Sequence, residues 1–84
     1  MPTFLKVIVE DLHGQWSAWF EDTPQIAMGG EWPSAAIEKL IDHLGADQFD
    51  VDQMVSVDDA ARNGHLEFLI PRRHHRRIPV PSVN

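Results

Sequence analysis

Thirteen carboxylates in a chain of 84 residues raise the question of metal-assisted chemistry. A divalent-metal nuclease needs several carboxylates converging on the ion. Glu10, Asp11, Glu21, Asp22 and Asp42 are the available set. Their positions do not force convergence. Asp11 and Asp22 fall in expected turns, and Asp42 shares with Glu38 the polar face of an expected helix. The histidines are His13, His43, His65, His74 and His75. No two have the i, i+4 helical spacing of a zinc pair, and no cysteine is present to complete a mixed site. Gly29-Gly30 lacks the spacing and the lysine of a phosphate loop, and there is no Gly-x-Ser-x-Gly elbow. No catalytic residue, metal ligand or cofactor is expected, and the chain is read as a non-enzyme.

The charge distribution carries a stronger signal. Residues 1–70 hold three bases and all thirteen acids, a balance of 3 − 13 = −10, whereas residues 71–84 hold four arginines and no acid. An acidic body repels phosphate and attracts basic proteins. The run Arg72-Arg73-His74-His75-Arg76-Arg77 does the reverse. Arg72, Arg73, Arg76 and Arg77 can neutralise phosphates without reading sequence, and histidine protonation strengthens this below about pH 6.5. The competing interpretation is a tail that folds back on the acidic body. No aromatic residue is interleaved with these arginines, so stacking on single strands is not indicated.

The elements that must position these groups follow from periodicity. Thr3 to Glu10 alternates Leu5, Val7 and Val9 against Phe4, Lys6, Ile8 and Glu10, the period of a strand. Asp11-Leu12-His13-Gly14 turns the chain, with Gly14 able to take positive φ. Gln15 to Glu21 forms a second strand, with Trp16, Ala18 and Phe20 on one face and Ser17, Trp19 and Glu21 on the other. Asp22-Thr23-Pro24 turns again, and Gln25 to Met28 is a short third strand. Pro33 suits the first position of a helix. Ile37, Leu40, Ile41 and Leu44 then mark one helical face, and Gly45 a C-terminal stop. Ala46 to Asp52 is a polar connection with Phe49 as an anchor. Val51 to Val57 alternates as a fourth strand would, and Asp58 to Gly64 is a loop or a helical turn. Ser56 and Asp59 have the spacing of a capping box, so the turn competes with the strand. His65 to Ile70 is the last strand, with Leu66, Phe68 and Ile70 on one face.

The expected fold class is α+β: a small antiparallel sheet in the order β-β-β-α-β, with an extra strand or helical turn at 51–64 and one main helix on one face. Residues 1–70 make a single domain. Pro71 closes it, and residues 71–84 form an Arg/His/Pro-rich mobile tail, extended by the alternate Pro79 and Pro81.

The order of three antiparallel strands, a glycine and a proline-started helix resembles the HicB-like family. In that family the third strand runs into Gly-x-Thr-Pro followed by Glu-Ala. The corresponding residues are Gly30, Glu31, Trp32, Pro33, Ser34, Ala35 and Ala36. Gly30, Pro33 and Ala36 match. Trp32 replaces the threonine and Ala35 the acid, which removes a cap of the kind worth about 1 kcal/mol. Ser34 offers a cap for a later helix start. The resemblance spans residues 3–45 and implies a partly degraded RNase H-like fold without catalysis. It also implies an antitoxin-like role, masking a small basic toxin-like protein. Members often carry a separate C-terminal DNA-binding segment, and here only the tail follows Ile70.

No segment has signal-peptide or membrane-spanning character, so a cytoplasmic protein without membrane contact is expected. Trp16, Trp19 and Trp32 with four phenylalanines supply large apolar area for one small core. Trp19 is expected on the uncovered face of the sheet and Trp32 at the helix start near the sheet edge. Glu10, Trp19, Glu21 and Trp32 are therefore the candidate partner-binding residues, and aromatic area on a second sheet face favours a homo-oligomer, such as a homodimer. The alternative is a nucleic-acid-associated protein acting through the four arginines.

Overall fold

The computed structural model describes residues 3–73. Strands β1 (Thr3–Leu12), β2 (Gln15–Phe20) and β3 (Thr23–Gly30) form an antiparallel meander, followed by helix α1 (Pro33–Leu44). Two more strands complete the chain, β4 (Val55–Ser56) and β5 (His65–Arg72), giving one antiparallel sheet in the order β3-β2-β1-β5-β4. The architecture is the expected α+β arrangement of a sheet with one main helix on one face.

The alternation in β1 becomes a physical division between two sides. Val7 and Val9 are fully buried, opposite Phe20 and Ala18 of β2 and Phe68 and Leu66 of β5. Lys6, Ile8 and Glu10 point to the other face. The β1–β2 turn places both His13 (φ 56) and Gly14 (φ 87) in the left-handed region. Two such residues in a two-residue loop give the turn whose twist matches paired strands. The Gly14 N–H also donates to Asp11 Oδ1 at 2.9 Å. The β2–β3 pairing shifts register between Trp19 and Phe20, so that Phe20 faces Thr23 and Trp19 faces Ala27. The bulged stretch holds Pro24, which an edge strand tolerates because its missing N–H breaks no ladder bond.

Helix α1 starts at Pro33 with Trp32 as its N-cap residue and no side-chain cap, so Ser34 lies inside the first turn rather than capping a later start. It ends where the Gly45 N–H donates to the Ile41 carbonyl at 2.8 Å. Ala36, Ile37, Leu40 and Ile41 are buried, chiefly against β2 and β3. The approach to β3 is close enough that a Cβ on Gly30 would lie 2.6 Å from the Ala36 backbone nitrogen. Phe49, in the connection after α1, covers the core beyond the helix. Its ring stacks on Phe20 with centroids 5.3 Å apart and planes 16° from parallel.

Several expectations need correction. Residues 51–57 do not form a strand along their length. Val51–Gln53 and Asp58–Ala60 are 3₁₀ turns, and only Val55–Ser56 pairs with β5. Burial of Phe49 directs this stretch across the core face before it can run beside β5, and the aspartates Asp50, Asp52 and Asp58 favour turns there. The Ser56 hydroxyl bonds Asp58 Oδ1, not the main chain beside Asp59, so no capping box forms. The last strand also outruns its expected end. Pro71 is buried, and β5 continues through it to Arg72. The Asp50 N–H donates to the Pro71 carbonyl at 3.0 Å, and the Arg73 N–H to the Gln48 carbonyl at 2.7 Å.

Two substitutions test this packing. Gly30→Ala should destabilise the fold by about 1–3 kcal/mol, because helix and strand backbones must separate to admit a methyl group. Phe49→Ala should cost about 3–5 kcal/mol through loss of the ring and the void left over Phe20. Denaturant midpoints for each variant against the parent chain measure both.

Candidate functional site

The helix and the Phe49 segment cover only one side of the sheet. Among the described residues, no element crosses the other. That open face is built by the outward alternates of β1, β2 and β5. The register places Lys6 beside Leu69, Ile8 beside Trp19 and Glu67, and Glu10 beside Ser17 and His65. Val55 of β4 extends the row at Leu69. Phe4 and Val55 are about half exposed, at 49% and 52%. Ile8, Trp19 and Leu69 are half-buried.

A connected ionic cluster lies among these apolar side chains. His65 Nδ1 is 2.8 Å from Glu10 Oε2, and its Nε2 is 2.8 Å from Glu67 Oε2. Lys6 Nζ is 3.3 Å from Glu67 Oε1 and 3.8 Å from Glu21 Oε2. An ionised carboxylate can only accept a hydrogen bond, so a ring that bonds two of them must donate from both nitrogens. The geometry therefore fits an imidazolium. Hydrogen bonds to Glu67 and then Glu10 raise the His65 pKa above its ordinary 6.5. The bond from His65, aided by Lys6, holds the Glu67 carboxyl below its ordinary 4.5. With His65 charged, three carboxylates face two cations, so the cluster keeps one net negative charge.

The expected binding residues divide between locations. Glu10, Trp19 and Glu21 belong to the open face or its margin. Trp32 does not join them. It is 65% exposed at the entrance of α1, on the helix-bearing side. Of the four arginines, Arg72 lies in β5 and Arg73 lies just beyond it. Arg73 is paired with Asp50, its Nη2 and Nε both 2.9 Å from Oδ1. Arg76 and Arg77 lie outside the described residues. The acids considered for metal chemistry are dispersed. Asp11 accepts a turn N–H, Asp22 follows β2 in a turn, and Asp42 is on the outer side of α1. Among the described residues no group of three His, Asp or Glu side chains is arranged to hold a metal ion.

Lys6, His65 and Glu67 were not singled out as site residues by sequence reasoning. The available signal was the His65-x-Glu67 spacing, which puts both side chains on one face of a strand. Only the β1–β5 register brings them to Glu10 and Lys6.

Compared with known protein families, curated proteins and solved structures, the chain matches none. Among the described residues no helix is long and apolar enough to cross a membrane.

The cluster has a definite pH signature. The raised His65 pKa adds stability that is fully present below about pH 6.5 and lost as pH rises through the folded-state value. The lowered Glu67 pKa adds stability present above about pH 4.5 and lost as pH falls through its folded value. Both contributions are complete between these limits. In a His65→Gln variant the first contribution disappears, so its stability deficit relative to the parent should shrink as pH rises from about 6.5 through the raised pKa of the parent's His65. NMR titration should place the parent His65 pKa above 6.5 and return it toward 6.5 in Glu10→Gln.

Proposed function

We propose that this chain is a non-catalytic protein-binding module whose open sheet face holds a basic protein partner. The single observation that carries the reading is the uncovered face itself. Half-buried Ile8, Trp19 and Leu69 lie beside an ionic cluster that retains net negative charge. A partner presenting arginine or lysine beside an apolar residue would satisfy both properties. Its cations would meet Glu21 and the margin of Glu10, while Trp19 supplies the amphipathic anchor area favoured at interfaces. The excess of acids over bases in residues 1–70 would steer such a partner from a distance.

The resemblance to HicB-like antitoxins supports this reading in kind, and it suggests a small toxin-like protein as the partner and the cytoplasm as its compartment. Of the matching residues, Gly30 and Ala36 are where α1 docks on β3, and Pro33 opens the helix. They argue for a shared way of seating the helix, while the open face argues for the partner. The alternative reading, nucleic-acid association through the arginines, is weakened by the Arg73–Asp50 pair, which occupies one of the four guanidiniums.

The test is capture from native lysate with the full chain and with a Trp19→Ser/Glu21→Lys variant, followed by NMR shift mapping with the captured protein. The expected result is a basic protein retained by the parent, lost by a variant with unchanged amide dispersion, and mapped to Ile8, Trp19 and Leu69. Shifts confined to α1 would overturn the proposal. So would a dimer in sedimentation whose interface maps by NMR to Ile8, Trp19 and Leu69.

A further inference from the structure

A second uncovered surface lies on the opposite side of the molecule. Between α1 and the segment that follows it runs a groove of about 330 Å³. Its apolar lining comes from Ile37 and Ile41 of the helix and from Val51 and Met54 across from them. Glu38 and Asp42 form its helical rim. These two carboxylates stand one helical turn apart on exposed positions, a like-charged i, i+4 pair that weakens a helix unless a cation intervenes. Neither forms an ion pair with any other described residue. Val51 is 44% exposed although it faces an apolar lining.

We infer that this groove is the docking site of the chain's own residues 74–84, with Arg76 and Arg77 on the Glu38/Asp42 rim and Ile78 and Val80 against Ile37, Ile41 and Met54. Three observations converge on this occupant. The first is where the chain leaves the sheet. Arg73 is fixed to the wall segment of the groove by the bond from its N–H to the Gln48 carbonyl and by its ion pair with Asp50. Gln48 and Asp50 do not line the groove themselves; they lie in sequence between its lining residues Ala46 and Val51, and Gln48 also lines the cleft at Thr23, Ile26 and Leu44. The following residues therefore start beside the groove. At about 3.3 Å per residue, the four residues to Arg77 span up to about 13 Å, and the seven to Val80 up to about 23 Å. Helix α1, twelve residues long, measures about 18 Å.

The second is charge. Residues 74–77 read His-His-Arg-Arg and contain no acid, and the rim they would reach carries two carboxylates that form no ion pair among the described residues. The third is the order of residue types. The arginines come first and Ile78 and Val80 next, so a chain already held at Arg73 can place guanidiniums on the rim and aliphatic side chains in the groove. Pro79 and Pro81 restrict the backbone there, which reduces the ordering cost of docking. Docking would also cover Val51 and Met54, which the short 3₁₀ turn at Val51–Gln53 leaves open to one side.

The proposal concerns the helical side of the molecule and stands independently of the open sheet face. The absence of cysteine from the sequence makes it directly testable on the full chain. A nitroxide attached through Ser82→Cys should broaden the amide resonances of Ile37, Ile41, Asp42 and Met54 in the ¹⁵N-labelled chain. Reduction of the nitroxide should restore them. The broadening should fall in an Arg76→Glu/Arg77→Glu background, and at 1 M salt, where the screening length is about 3 Å. Four outcomes would overturn the proposal. One is broadening centred on Ile8, Trp19 and Leu69. Another is broadening at the shallow cleft of Thr23, Ile26 and Leu44, which lies beside Arg72. A third is broadening seen only when nitroxide-bearing and isotope-labelled chains are mixed, which would assign the groove to a second copy. Groove resonances left unbroadened in every sample would be a fourth such outcome.

Discussion

The near-contact of two backbones at Gly30 and Ala36 governs the rest of this structure. A helix normally stands off a sheet by the depth of the side chains between them. Here one side of that contact has no side chain and the other has only a methyl group, so the N-terminal turn of α1 rests on the end of β3. That contact fixes which face of the meander is covered. With the helix seated over β2 and β3, Ile37, Leu40 and Ile41 join Val7, Val9, Ala18 and Phe20 in one core, and no described element covers the outward alternates. Among the described residues there is no second helix to close the other side. The distinction between a covered and an open sheet face is thus set by one helix and its point of contact.

The open face is not simply polar, as a solvated sheet face usually is. Its charged groups are confined to a linked set, His65 with Glu10 and Glu67, and Lys6 with Glu67 and Glu21, and apolar side chains occupy the positions around them. Exposed ion pairs contribute little to stability one by one. A set in which one imidazole bridges two strands does something else: it opposes a slip of β5 against β1. A one-residue shift would carry His65 and Glu67 to the core face, where their charges would lack partners. The cluster thus reinforces the register that builds the surface. It also holds the carboxylates in place in the free chain, which would lower the ordering cost of the association proposed above.

Much of this was legible in the sequence, because period two and period 3.6 report directly on burial. β1, β2 and α1 follow from their alternation, and Trp19 is assigned to the uncovered side by simple parity with Trp16 and Phe20. Phe49 was readable as an anchor because a lone aromatic in a polar connection has few other roles. The region 51–64 was not readable. Its valines alternate as a strand's do, but alternation cannot reveal that a neighbouring ring has already pulled the backbone across the core. The Asn63-Gly64 pair was the better signal there. It forms the tight loop in which Arg62 and His65 exchange backbone hydrogen bonds, with Gly64 at φ 78. The ionic cluster was hidden for a different reason. Its members are separated by 55 residues in sequence between Glu10 and His65, and pairing register is a tertiary property. Pro71 was read as a terminator, whereas at the end of a paired strand its lack of an N–H breaks only one bond of the ladder.

The sheet order has a consequence for how the protein is made. β1 is the central strand, flanked by β2 on one side and β5 on the other, and residue 3 pairs with residue 72. During synthesis the meander and helix can assemble as soon as they emerge, but one edge of β1 then stays unpaired until the last strand arrives. For that interval the nascent chain presents an exposed edge of Val, Ile and Leu, the kind of template that recruits foreign strands. The charges at Lys6 and Glu10 on that edge would serve as its protection on the ribosome, before they take up their places in the finished surface.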